Sequence, residues 1–291
     1  MKRIGTAWIK KNAYWAVSLC LFLAIAGSVV LYTNNKKQEY QMLFLGDSII
    51  GKVRNAANFT DMLEESLGIS IYNGALGGSM MARQKGADRA ADMSSSLSMA
   101  GLTEAMVAED FSVQMACVGD YAARYLSKDV FLDTIRGLSG VDLEKLEYIV
   151  IEHGVNDYAS GVPLDNPEDP MDPYTFGGAL RTALTLLREK CPHARIIICT
   201  PIYCWFPDLG QDCAQADFGH GILEDYVNLE LQIAREYDVD VIDNYHNSGI
   251  GGEGCDFEEW SVYTIDGMHL NEYGEELLTD ALAEQMKGWI E

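Results

Sequence analysis

Short apolar runs and longer helical stretches alternate along this chain. The runs are Gln41–Leu45, Ile69–Tyr72, Tyr148–Glu152, Arg195–Cys199 and Val239–Ile242, and they read as strands. Apolar residues recur with helical spacing in Phe59–Leu67, Leu102–Ala108, Ser127–Leu138, Thr175–Lys190, Gly221–Tyr237 and Glu272–Ile290. Strands that take turns with helices predict a parallel sheet covered by helices. The expected fold is a flavodoxin-like three-layer α/β/α sandwich with five parallel strands, occupying residues 41–291 as one domain. In such sheets ligands bind beyond the carboxyl ends of the strands, so the residues after each run are where chemistry is expected.

The first run is followed by GDS (Gly46–Ser48), the second by NGALGGS (Asn73–Ser79) and the third by HGVNDY (His153–Tyr158). Beyond the fifth, a loop delivers DGMHLNEYG (Asp266–Gly274) ahead of the last helix. Taken singly, each reads equally well as a turn. Together they set a hydroxyl, amide donors, an imidazole and a carboxylate at one edge of one sheet. The first stretch also meets most of a phosphate-loop pattern, through Gly46, Gly51 and Lys52. That reading fails on chemistry: Val53 stands where a hydroxyl would hold Mg²⁺, and Asp47 would bring a carboxylate towards the phosphates. Ile49 and Ile50 are bulky where backbone would have to wrap an anion. A strand that ends by presenting Ser48 is the better reading.

Composition changes the picture mainly at the N-terminus. The 291 residues, 48% of them hydrophobic and 10% aromatic, suffice for one large core. Ala13–Tyr32 is a run of 20 residues without a charge, long enough to cross a bilayer as a helix, with Tyr14, Trp15 and Tyr32 at its ends. Lys2, Arg3, Lys10 and Lys11 precede it, so the positive-inside rule puts residues 1–12 in the cytoplasm, residues 13–32 in the membrane and everything after them outside. Residues 33–40 form a polar linker. The expected location is the cell membrane, single-pass, with an extracytoplasmic domain; the alternative is secretion after cleavage near Ala26, in the small-residue stretch Ala24–Gly27.

Six of the 21 basic residues precede Gln38 and no acid does, which leaves 15 basic against 44 acidic side chains beyond it, a formal charge of −29. Such a charge repels nucleic acid and argues against polyanionic ligands. Six cysteines follow the apolar segment, with Cys204 and Cys213 the nearest disulfide candidates on one loop, their pairing left open. There is no C-x-x-C for a structural zinc and no D-x-H on the first strand for a metallophosphoesterase, so no metal and no cofactor is expected. DNPEDPMDPY (Asp165–Tyr174) reads as a rigid solvated loop ahead of a calcium site. His193, His220 and His246 are loop residues without ligand spacing.

The set of motifs and its order resemble the SGNH hydrolases, also called the GDSL family. Ser48 of GDS, Gly78 of NGALGG, Asn156 of GVND, and Asp266 with His269 of DGMH match that family's blocks one for one, over nearly the whole of residues 41–291. The G-x-S-x-G elbow of α/β-hydrolases is absent, and Leu270 stands where the family usually has Pro after the His. The resemblance implies a serine esterase in which Ser48 is the nucleophile, His269 the general base and Asp266 the carboxylate that orients it. It further implies an oxyanion hole made by the backbone N–H groups of Ser48 and Gly78 and the side-chain amide of Asn156. Gly78 suits the task, having no Cβ to obstruct an acyl group. Asp47 is assigned only a structural turn contact.

Tyr203, Trp205 and Phe206, in the loop after the fourth strand, and Trp260, ahead of the Asp-His motif, are candidate substrate-binding residues, as is His153. Aromatic side chains there suit a sugar ring or an acyl chain. With a surface anchor, they favour deacylation of a carbohydrate or small ester. Two readings remain beside it: an O-acyltransferase using the same triad on a cell-surface glycan, and a catalytically idle glycan-binding domain.

Overall fold

The computed structural model describes residues 37–51, 58–85, 95–123, 128–252 and 254–290. The apolar run Ala13–Tyr32 lies outside them, and no described helix is long and apolar enough to cross a membrane. The elements are β1 (Met42–Gly46), α1 (Ser48–Gly51), α2 (Phe59–Leu67), β2 (Ile71–Asn73), α3 (Met99–Ala108), α4 (Ser112–Ala123), α5 (Lys128–Gly140), β3 (Tyr148–Glu152), α6 (Val155–Ala159) and α7 (Phe176–Lys190). They continue with β4 (Arg195–Cys199), β5 (Trp205–Phe206), β6 (Gln211–Asp212), α8 (Leu223–Tyr237), β7 (Asp240–Ile242), α9 (Asn244–Asn247), α10 (Phe257–Trp260) and α11 (Glu272–Met286).

The five predicted strands form one parallel sheet in the order β2-β1-β3-β4-β7. Its three central strands are apolar on both faces because helices cover both: all of β1 and β3 and four of five residues of β4 are buried. Right-handed crossovers account for the layering. The chain steps one way from β1 to β2 and the other way from β3 to β4 and β7, so α2 falls on one face and α7 and α8 on the other. The last helix, α11, packs against α2, while α3 and α8 pack against α7. The order reverses beside β1, and the crevice at its carboxyl end is where this topology leaves room for a ligand.

Local signals fix where the helices begin. Asn58, Ser98, Thr175 and Asn271 cap α2, α3, α7 and α11, each accepting an N–H of the first turn through its side-chain oxygen. The sequence anticipates α2 at both ends but misses α4 altogether, and it extends α11 to Ile290 where the helix stops at Met286. A two-stranded antiparallel hairpin, β5–β6, is also new, and it carries Trp205 and Phe206. Cys204 and Cys213 face each other at the base of this hairpin, the Cys213 N–H donating to the Cys204 carbonyl at 2.9 Å; both are buried thiols. The Asp165–Tyr174 segment is a tied loop: Arg181 Nη1 binds both oxygens of Asp165, Asp172 accepts from Asn166 Nδ2 and the Tyr174 N–H, and Asp169 accepts from the Met171 N–H.

Candidate active site

Strand β1 ends in Gly46, and the chain turns at Asp47 directly into α1, whose first residue is Ser48. The turn is held by the Ile49 N–H, which donates to Asp47 Oδ1 at 2.9 Å. A helix leaves its first N–H groups without internal acceptors, so the Ser48 N–H at this end is free to bind something else. Ser48 Oγ lies 2.9 Å from His269 Nε2, and His269 Nδ1 lies 2.7 Å from Asp266 Oδ2. With an ionised carboxylate at Nδ1 the ring carries its proton there, which leaves Nε2 as the acceptor for the Ser48 hydroxyl.

The loop from Thr264 to Leu270 explains this alignment. Asp266 Oδ1 accepts the N–H groups of His269 (2.8 Å) and Met268 (3.1 Å), while the Ile265 N–H donates to the His269 carbonyl at 2.9 Å. Burial works to raise the Asp266 pKa, but the His269 N–H, the His269 ring and the Met268 N–H together hold it below the ordinary carboxylate range. It is ionised at neutral pH. Gly267 sits between the two catalytic candidates with φ +92°, and a Cβ there would lie 2.6 Å from the Trp205 carbonyl oxygen, so only glycine fits. Its own carbonyl accepts the Trp205 N–H at 2.8 Å and the Trp260 indole Nε1–H at 2.6 Å.

The loop after β2 closes over the nucleophile. A Cβ placed on Gly77 would lie 3.6 Å from Ser48 Cβ, and the Tyr121 hydroxyl donates to the Gly77 carbonyl at 3.0 Å. The Gly78 N–H makes no hydrogen bond to another described residue. Asn156, on α6, is also at the site, but both hydrogens of its amide are engaged: Nδ2 donates to Asp47 Oδ2 at 2.8 Å and to the Ser79 carbonyl at 3.1 Å. Its neighbour Asp157 is fully buried and accepts the Met81 and Ala82 N–H groups at 2.7 and 2.9 Å, which fastens the Ser79–Ala82 segment to α6. Burial, only partly offset by those two donors, pushes its pKa up to about 7.

Beneath the site lie two further buried acids. Burial raises the pKa of Asp47 despite its Ile49 and Asn156 donors, and burial followed by the nearby Asp47 raises that of Glu152 further still. Asp47 has two N–H donors, whereas neither carboxyl oxygen of Glu152 has a hydrogen-bond partner among the described residues. Burial pushes Asp47 up to about 7 and raises Glu152 further, so Glu152 is the more readily protonated of the pair.

Of the substrate-binding candidates, Trp205 and Phe206 are half-buried on β5, where they pack against Phe257 and Phe218 respectively. The other three are corrected. Tyr203 and Trp260 are 1% and 0% exposed and pack edge to face at 5.9 Å, so they support the site from within instead of lining it. His153 is 1% exposed, and burial drives its pKa down to about 3, so it is a neutral interior imidazole. Asp47 and Asp157 were missed as members of the site. Their adjacency to Ser48 and Asn156 was visible, but their partners are 109 and about 75 residues away in sequence.

A model of the GDSL-like lipase/acylhydrolase family matches residues 44–277. The isoamyl acetate-hydrolyzing esterase 1 homolog of Mus musculus is 28% identical over 146 residues, covering 48% of this chain; the chain spans about half that relative's length, 55%. Among solved structures, a protein from Lactobacillus plantarum superposes with a TM-score of 0.58 at 20% identity, covering 86% of this chain and 98% of that one. A carbohydrate acetylesterase from Sinorhizobium meliloti superposes with a TM-score of 0.50 at 15% identity, covering 85% and 98%. At these identities the two structures share the fold.

Proposed function

The chain belongs to the GDSL-like lipase/acylhydrolase family, and from that premise we propose that it is a serine esterase that removes a short acyl group from a carbohydrate or small ester, working outside the cytoplasm on an N-terminal membrane anchor. The observation that carries the reading is the continuous hydrogen-bond chain Ser48–His269–Asp266, at 2.9 and 2.7 Å. Ser48 Oγ attacks the ester carbonyl while His269 Nε2 takes its proton. The tetrahedral oxyanion is met by the Ser48 and Gly78 N–H groups and by Asn156. Collapse expels the alcohol, which receives the proton from His269, and leaves an acyl group on Ser48. Water, deprotonated by the same imidazole, then releases the acid and restores the serine. Asp266 remains ionised throughout and stabilises the imidazolium formed in each half-reaction.

Support for a carbohydrate or small ester comes from the rim. Trp205 joins the acid–base loop through its N–H to the Gly267 carbonyl and packs against Phe257, and Ile265, beside Asp266, is 60% exposed, so apolar side chains border that loop. The same fold serves a carbohydrate acetylesterase in Sinorhizobium meliloti, and the mouse relative's name is that of a small-ester hydrolase. Fluorophosphonate should label the purified protein once, on Ser48. Ser48→Ala should abolish the adduct and lower kcat by about 10⁴-fold or more, as expected when a nucleophile acting within a triad is lost. Labelling of that variant at the wild-type rate would remove Ser48 from the mechanism. Acylated sugars assayed with and without excess acceptor sugar tell water from a sugar hydroxyl as the second substrate.

A further inference from the structure

The acid of the GDS turn does more than close a turn. Its two carboxyl oxygens are divided between two elements: Oδ1 accepts the N–H of Ile49, immediately after the nucleophile, and Oδ2 accepts Nδ2 of Asn156, 109 residues later on α6. One buried, rigid group thus spans from the nucleophile's helix to the oxyanion donor. Its side chain is 0% exposed, so no water competes for either oxygen. The second Asn156 hydrogen points at the Ser79 carbonyl at 3.1 Å, longer than the 2.8 Å bond to Asp47. In the ionised form of Asp47, favoured above about pH 7, the bond to a carboxylate is stronger than one to a neutral carbonyl, so the two are unequal.

We propose that Asp47 is the positioning residue of the oxyanion site: it fixes the Asn156 amide as a pivot, and the bond to Ser79 is the one exchanged for the reacting oxygen. The inference rests on the esterase reading above, in which Asn156 is an oxyanion donor. The resting site is then closed on itself. With both hydrogens occupied, Asn156 costs nothing in unsatisfied polarity before substrate arrives, and the Ser79 carbonyl yields its hydrogen only to a better acceptor. A ground-state ester carbonyl is comparable to the Ser79 carbonyl and gains little by the exchange. An oxygen that has taken on full negative charge gains much more. The arrangement therefore favours the transition state over the bound substrate, which is what raises kcat without lowering KM.

Asp47→Asn makes the prediction sharp. The new side chain keeps its size and keeps an oxygen for the Ile49 N–H, but its amide nitrogen then faces Nδ2 of Asn156, donor against donor. Asn156 must rotate, and its hydrogens leave the oxyanion position. In the full-length protein kcat should fall about 10²-fold, with KM changed less than threefold, comparable to loss of one oxyanion donor. The test is a double-mutant cycle on kcat with Asn156→Ala, which alone should cost about 10²- to 10³-fold. In the Asn156→Ala background, Asp47→Asn should change kcat less than threefold, because the group it positions is gone. Fully additive losses would overturn the positioning role and return Asp47 to a turn contact acting on Ser48 alone. A near-normal kcat for Asn156→Ala would instead overturn the oxyanion reading beneath it. If Asp47→Asn does not fold, Asp47→Ser enters the same cycle with the same criteria. A crystal structure of the phosphonylated enzyme tests the exchange directly: Nδ2 should bind the phosphonyl oxygen and Asp47, and retention of the Ser79 bond in its place would overturn it.

Discussion

Trp260→Phe separates two roles that an aromatic residue near an active site can play. The substitution deletes the indole Nε1–H, which donates to the Gly267 carbonyl at 2.6 Å, and retains a six-membered ring in the interior. The lost hydrogen bond is worth about 1 kcal/mol net, since the Trp205 N–H still satisfies the carbonyl at 2.8 Å. The smaller side chain vacates about 40 Å³, worth about 1 kcal/mol at ~24 cal/mol per Å³. Together they amount to about 2 kcal/mol, or a fall in Tm of about 4–8 °C for a domain of this size. Gly267 lies between Asp266 and His269, so slack in its tether reaches both the imidazole and the carboxylate that binds it. Misplacement of reacting groups on the order of 1 Å costs about 10²-fold, and a partial loosening should lower kcat about tenfold with KM within twofold. Thermal unfolding by circular dichroism and steady-state kinetics on one short-chain ester measure all three quantities. A KM raised severalfold with unchanged kcat and Tm would refute the reasoning and make Trp260 a substrate-stacking residue.

Gly251→Ala should disturb the same indole from the other side, because a Cβ at that φ of +63° would lie 1.7 Å from Trp260 Cζ3; it should lose more stability than Gly249→Ala, whose φ is +72° but whose Cβ position is open, and equal losses in Tm would contradict this. Stability should fall as pH rises from 5 to 8: Asp157 goes from 3.8 in the unfolded chain to about 7 in the folded one, so the folded protein binds the extra proton, and stability present below about pH 4 is lost as pH passes 7. At about 1.4 kcal/mol per pKa unit this is about 4 kcal/mol at most; because Asp47, Glu152 and Glu230 are raised as well, denaturant midpoints at pH 5.5 and 8.5 are compared between the wild type and Asp157→Asn, and an equal pH dependence in the two would contradict the assignment. External protease on intact cells should digest the domain of a membrane-bound protein, motivated by the four basic residues ahead of the Ala13–Tyr32 run, and a mature N-terminus near Gly27 would show cleavage instead.

The sheet was legible because its central strands are buried on both faces and so read as unbroken apolar runs. At the edges, β2 and β7 are each three residues long, shorter than the four-residue runs that announced them. Helix α4 escaped notice for a different reason. Its buried positions are Gln114, Cys117, Val118, Tyr121 and Ala122, a regular helical stripe, but the stripe opens on Gln114, which counts as polar. That amide is interior because it donates to the carbonyls of Ser96 and Gly101, acceptors no local pattern reveals. The family blocks pointed to Ser48, Asp266 and His269, which the structure joins in one hydrogen-bond chain, because they stand at strand ends or within one turn of each other. They were silent on Asp47, whose second contact is made only by the folded chain. The aromatic candidates went wrong by direction: Tyr203 and Trp205 are two residues apart, and one is 1% exposed while the other is only half-buried, a difference set by the hairpin that begins between them.

The hydrogen bond between Ser48 and His269 joins residues 221 positions apart, and the segment bearing His269 runs straight into α11, which packs on α2 near the other end of the domain. The Tyr148 hydroxyl donates to the Trp289 carbonyl at 3.0 Å, and the Arg195 guanidinium stacks over the Trp289 ring at 4.8 Å, so this terminal segment is also fastened to the first residues of β3 and β4. During synthesis, nearly the whole sheet can leave the ribosome before His269, the base of the proposed mechanism, exists. On the mechanism proposed above, a chain arrested before Asp266 would carry Ser48 without the imidazole that activates it. On that mechanism turnover begins only once α11 has been made and has docked against α2, so activity reports that the two distant segments have met.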